Sequence, residues 1–165
     1  MRFVKESRIA APPGVVYTFH RSRGALERLT PPWERIRLVS GGDSLRVGSR
    51  VVLETYLGPI PLRWVAEHTE NEPGRLFADR QVRGPFTRWY HRHLFMDDGS
   101  GGAILRDEVD YDPPLGWVGR QIFEGYLREK LTRLFDYRHA ITRKIVEARD
   151  FVAPDLELGG SSSVD

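Results

Sequence analysis

This chain can form one long helix and no second of comparable length. From Gly116 to about Asp150, the residues Phe123, Leu127, Leu131, Leu134, Ile141 and Ile145 recur at helical spacing. Six β-like runs precede it: "ERIRLVSGG", "SRVVLETYLG", "PLRWVAEHTENEPG", "RLFADRQVRGP", "FTRWYHRHLFMDDGSGG" and "AILRDEVDYDPP". Gly, Pro, Asp and Asn punctuate them, which is the pattern of an antiparallel meander. Ahead of these, "RFVKESRI" reads as a first strand, "APPGVVYTFHRS" as a short helix opened by prolines, and "GALERL" as a second short helix stopped by Pro31 and Pro32. A sheet of this kind must bury one face, and only the C-terminal helix is large enough to cover it. The expected fold class is therefore α+β. One domain spans residues 1–150, and the Gly/Ser-rich acidic tail 151–165 is expected to be disordered.

Composition excludes several chemistries. The chain has no cysteine, which removes disulfides, thiolate metal ligands and a thiol nucleophile, and suits a reducing cytoplasm. The first residues lack the apolar core of a signal peptide, and no run is long enough for a membrane span. A pI near 9.1 invites a nucleic-acid reading, yet the net charge is only +2. All basic residues but Lys5, Lys130 and Lys144 are arginine, interspersed with acids as in "RDEVDYD" rather than gathered into a stripe, so no nucleic-acid partner is expected. No phosphate-binding loop, dinucleotide fingerprint or nucleophile elbow is present.

The element order, with "LTPPWE" after the second short helix, "GPF", "WYHRHLF" and "YDPPLG" leading into the last helix, resembles the START-like polyketide cyclase/dehydrase (SRPBCC) superfamily, over about residues 1–148. The "GPF…W-x-H-x-H-x-F" run is similar to a bacterial branch of it. The resemblance implies the helix-grip fold, a curved antiparallel sheet of about seven strands wrapped around the C-terminal helix. It also implies a hydrophobic small molecule bound between sheet and helix. In some members it implies cyclisation and dehydration.

Strand alternation orients the histidines of "RWYHRHLF", because residues i and i+2 share a face. Arg88, Tyr90, Arg92, Arg106, Glu108 and Asp110 fall on one, solvated face; Trp89, His91, His93, Phe95, Leu105, Asp107, Val109 and Tyr111 fall on the other, inward one. A turn centred near Ser100 sets Phe95 opposite Leu105, His93 opposite Asp107, His91 opposite Val109 and Trp89 opposite Tyr111. The "RGPF" turn sets Gln81 near Trp89, Asp79 near His91 and Phe77 near His93, and a two-residue turn at Pro73–Gly74 brings His68 to Asp79. The expected site is a polar cluster of His68, Asp79, Gln81, His91, His93 and Asp107 in a frame of Trp64, Phe77, Trp89, Phe95 and Tyr111.

Six polar groups on an inner face cost a few kcal/mol each unless partnered. They can satisfy one another structurally, as His91–Asp79 and His93–Asp107, or they can also orient a ligand among aromatic walls, as binding sites do. The second reading, a hydrophobic or aromatic ligand with no cofactor, is the expectation. A cyclase/dehydrase-type enzyme using His91, His93, Asp79 or Asp107 as acid or base is an alternative. A non-catalytic scaffold for a partner protein is another. His91, His93 and a carboxylate also match a zinc or iron ligand set. Because each histidine has its own acid opposite, no metal is expected. Trp33 is expected to cap the core, and Arg138 to reach past the apolar stripe to water.

Overall fold

The computed structural model describes residues 1–57 and 59–148, the side chain of Leu57 excepted. The chain runs β1 (Arg2–Ile9), α1 (Pro13–Arg21), α2 (Ala25–Arg28), β2 (Arg37–Ser40), β3 (Arg50–Leu57), β4 (Ile60–Glu72), β5 (Leu76–Arg83), β6 (Arg88–Asp97), β7 (Ala103–Asp112) and α3 (Gly116–Val146). All seven strands form one antiparallel sheet in the order β1-β7-β6-β5-β4-β3-β2. The sheet curves around α3, with the two short helices following the first strand, so the fold is a helix-grip. The expected end of the helix near Asp150 and the expected tail lie outside the described residues. Among the described residues no helix is long and apolar enough to cross a membrane.

Local chemistry explains the element boundaries. Pro13 occupies the first turn of α1, where its missing N–H costs nothing. Pro113 and Pro114 follow β7 and supply no donor to extend its ladder, and the left-handed Leu115 (φ 69°) and Gly116 (φ 57°) turn the chain into α3. The β4–β5 hairpin departs from expectation. Glu72 pairs Leu76 across three residues rather than two, and a bulge between His68 and Glu70 then shifts the ladder back by one. The two departures cancel, and His68 still faces Asp79.

The core divides into two apolar clusters. One joins Ile9, Val16, Tyr17, Phe19, Phe77, Phe95 and Leu105. Tyr17 ties it to β4 through a 2.8 Å hydrogen bond from its hydroxyl to Asn71 Oδ1. The other joins Phe3, Trp89, Val109, Tyr111, Leu131 and Phe135, with Trp64 and Phe86 packed on its edge. The buried stripe of α3 is Leu131, Phe135, His139, Thr142 and Val146. Leu134, Ile141 and Ile145 only flank it, because the helix is rotated so that Phe135 and His139 point at the sheet. The first half of α3 stands clear: Trp117, Ile122 and Tyr126 are all more than half exposed.

Two expectations fail here. Trp33 does not cap the core. The diproline carries it outward to lie half exposed, edge-on to Tyr137 at 5.3 Å with the Arg133 guanidinium 5.4 Å above its ring. Arg138 does not reach out to water. It is half buried beside the stripe, its Nε–H donating to Leu29 O at 3.3 Å and its guanidinium 5.5 Å above the Phe135 ring.

Candidate functional site

β6 turns Trp89, His91, His93 and Phe95 inward and Arg92 outward, as the two-residue period requires. The side chains of His91 and His93 are 5% and 12% exposed against 34% for Arg92. The outer face of β6 and β7 carries surface ion pairs such as Arg106–Glu108 at 2.8 Å and Arg2–Glu108 at 3.0 Å. These contribute little to stability.

Every strand pairing expected around the histidines between β6 and β7 is present, as are Asp79 opposite His91 and Phe77 opposite His93. The hydrogen bonds follow a different plan. His91 does not bond Asp79; its Nε2–H donates to Asp107 Oδ1 at 2.8 Å. His139 of α3 donates Nε2–H to the other oxygen of Asp107 at 2.7 Å. His93 Nδ1 also lies 2.7 Å from Asp107 Oδ1, but out of line for a hydrogen bond. One buried carboxylate thus gathers three imidazoles. The reason is position: Asp107 lies beneath α3, where both strand histidines and His139 reach it, while Asp79 sits one strand further out.

Burial alone would raise Asp107, but the three imidazoles, His93 foremost, overcome it and hold the carboxyl well below the usual range. Burial lowers His91, and it lowers His93 to about 4 with help from neighbouring His91. The centre is therefore an ionised carboxylate beside two imidazoles, His91 and His93, that burial holds toward the neutral form. Phe77 stacks on His93 with ring centres 4.1 Å apart and planes at 24°.

Asp79 is the exception. It makes no hydrogen bond among the described residues, standing 3.9 Å from His91 Nδ1 and 3.9 Å from His93 Nε2, with 16% of its side chain exposed. Burial raises its pKa against the lowering influence of His93, His68 and Arg138. Buried nitrogens of His68 and His139 and the hydroxyl of Thr142 also lack partners. Gln81 leaves the expected cluster. Its Nε2–H donates to Phe86 O at 2.7 Å and its Oε1 accepts from Phe86 N–H at 3.3 Å, closing the β5–β6 turn.

The aromatic frame splits between the two core clusters. Phe77 and Phe95 belong to one and Trp89 and Tyr111 to the other, all four buried, while Trp64 is half buried at the edge. Trp64 and Trp89 meet edge-on at 5.1 Å. α3 packs mainly on β1, β7 and α1. That leaves the inner face of β3 and β4 half buried, with Val51, Leu53, Leu62 and Trp64 on the face that continues along β4 to His68, the ladder partner of Asp79. Two surface hollows of about 430 and 350 Å³ lie elsewhere, over the α2–β2 region and beside Ile9 and Glu147.

Sequence reasoning missed His139 and His20. His139 was legible as the next step, four residues on, of the stripe Leu131–Phe135. His20, on α1, donates Nδ1–H to Val16 O at 2.9 Å and packs 5.2 Å from the Phe95 ring and 6.1 Å from His93. No motif announces it. Burial, then His93, lowers its pKa to about 4. Between pH 6.5 and about 4 the unfolded chain binds a proton at His20 that the folded chain does not, so its contribution is complete above pH 6.5 and is lost as the pH falls toward 4. In His20→Gln, the pH dependence of urea stability across that window should flatten by about 1.4 kcal/mol per pH unit. Parallel wild-type and variant curves would contradict it.

The sequence model of the polyketide cyclase/dehydrase and lipid transport family matches residues 9–135. The chain belongs to that family. Solved structures agree in fold. The nucleoside-diphosphate sugar epimerase of Corynebacterium glutamicum is 24% identical with a TM-score of 0.70, over 88% of this chain and 29% of that one. The ZhuI aromatase/cyclase of Streptomyces sp. R1128 is 14% identical with a TM-score of 0.68, over 90% and 94%. Norcoclaurine synthase of Thalictrum flavum, solved with dopamine and hydroxybenzaldehyde, is 15% identical with a TM-score of 0.66, over 90% and 88%. No curated protein sequence matches.

Proposed function

We propose that this family member binds a hydrophobic or aromatic small molecule between β3–β5 and α3, with the apolar part against Leu53, Leu62 and Trp64 and a polar end at Asp79 and His68. One observation carries the reading. A half-buried apolar wall ends at a carboxylate with no hydrogen bond and at an unpaired buried imidazole nitrogen. Such groups are stabilised when a ligand supplies the missing partner. Asp107, His91 and His93 hold the floor of the site, and Phe77, Phe95, Trp89 and Tyr111 support it from the core. The family's description as a cyclase, dehydrase and lipid-transport family fits an apolar cargo.

A second reading, acid–base catalysis, is favoured by Asp79 alone. Its burial-raised carboxyl is reachable, whereas His91 and Asp107 are occupied with each other.

Fluorescence titration with 2-naphthol tests the binding reading. Saturable 1:1 binding is expected in the wild type, with affinity at least about tenfold weaker in Trp64→Ala, since losing about 1.4 kcal/mol of apolar contact is one decade. Equal affinity in the two folded proteins, or no saturable binding to naphthol, would overturn it.

A further inference from the structure

We infer that Asp79, His91 and His93 form a site for one first-row divalent cation of the zinc class, with Asp107 as the carboxylate that orients the two imidazoles. This reverses the expectation of no metal, which rested on each histidine having its own acid. The structure hydrogen-bonds His91 to Asp107, sets His93 in contact with the same carboxylate, and leaves the Asp79 side chain without a hydrogen bond.

The argument begins with proton placement. His91 Nε2 donates to Asp107 Oδ1, so in the neutral ring its Nδ1 carries a lone pair, and that atom faces Asp79 Oδ2 at 3.9 Å. His93 Nδ1 lies 2.7 Å from the same Asp107 oxygen, off the line of a hydrogen bond; that close to an anion a partial positive N–H is favoured over a lone pair, which places the proton on Nδ1 and leaves Nε2 bare. That Nε2 also stands 3.9 Å from Asp79 Oδ2. Three Lewis bases, one from each residue and all within 4.8 Å of one another, thus converge with no donor among them. A water can donate to only two of them. A cation satisfies all three.

The spacing fits. Two ligand atoms each about 2.0–2.2 Å from one ion lie between about 3 Å apart at right angles and about 4.3 Å in line. The observed 3.9 Å falls inside that window and beyond hydrogen-bond range. The donor set of two imidazoles and a carboxylate suits zinc, cobalt or ferrous iron rather than calcium or magnesium. Asp107 supplies the carboxylate behind the imidazole that metal-binding histidines require. All three ligands stand on paired strands, and Asp79 is the most exposed of them, so an open coordination position faces the half-buried groove. Two carboxylates, the partly buried Asp79 and the buried Asp107, stand against the single guanidinium of Arg138 and favour an incoming cation.

The test uses metal alone. Dialysed protein is titrated with Co²⁺, followed by visible absorption, and with Zn²⁺ against a chromophoric chelator. One equivalent per chain is expected. Asp79→Asn and His93→Gln, each checked by circular dichroism, should each weaken binding at least about 100-fold. Asp107→Asn should weaken it about 10–100-fold, the effect of losing an outer partner. Absence of a saturable equivalent in the wild type overturns the site. So does wild-type affinity in either folded ligand variant. Naphthol binding is read separately, so failure of one proposal leaves the other standing on its own measurement.

Discussion

Asp107→Ala should cost about 2–6 kcal/mol of folding stability, the sum for two buried N–H donors left without an acceptor. The side chain is 3% exposed and accepts from His91 at 2.8 Å and His139 at 2.7 Å, with His93 in contact at 2.7 Å. Its loss strands two N–H donors in a place water does not reach, and each unsatisfied group costs about 1–3 kcal/mol. Restoring apolar packing with His93→Leu in an Asp107→Val background should recover only part of the loss, because His91 and His139 stay unpaired. Urea unfolding of the two variants measures both steps. A loss under about 1 kcal/mol for the single variant would mean the imidazoles find other acceptors.

Phe135→Ala should be comparably severe. Phe135 is fully buried, 5.4 Å from the Phe3 ring and 5.2 Å from the His91 ring, and it fills the space between α3 and the sheet where the two halves of the core meet the polar cluster. Truncating a buried phenylalanine costs about 3–5 kcal/mol, from lost transfer energy and the cavity left behind. At about 2–4 °C per kcal/mol for a domain of this size, the melting temperature should fall by about 6–20 °C. Tyr126→Ala on the same helix, with the side chain 60% exposed, should shift it little. Equal shifts for the two would mean that the first half of α3 is covered in solution.

Some of this was open to inspection of the chain. The alternation of "RWYHRHLF" separates His91 and His93 from Arg92 because a strand's period is two, and "DDGSGG" sets His93 opposite Asp107 because a short hairpin leaves little freedom of register. The pairing of His68 with Asp79 was legible only by cancellation: a turn one residue longer than expected and a bulge one residue long return the ladder to the same register. Gln81 looked like a site residue because it lies on the right face. Its amide instead closes a turn, a choice set by the nearness of the Phe86 backbone rather than by periodicity.

By itself, then, the sequence determined the order of elements, the need for α3 to cover one sheet face, and the inward set Asp79, His91, His93 and Asp107. These follow from local rules of periodicity, breaker residues and short connections. Tertiary structure decided which carboxylate the imidazoles share. That choice depends on the rotation of α3, which brings His139 to Asp107 from 32 residues away, and on the χ angles by which His91 turns from Asp79, its neighbour in the ladder, toward a buried charge that three rings can surround. No local pattern encodes helix rotation or rotamer choice. They are fixed when the apolar faces pack, and with them Asp79 is left facing two bare nitrogens.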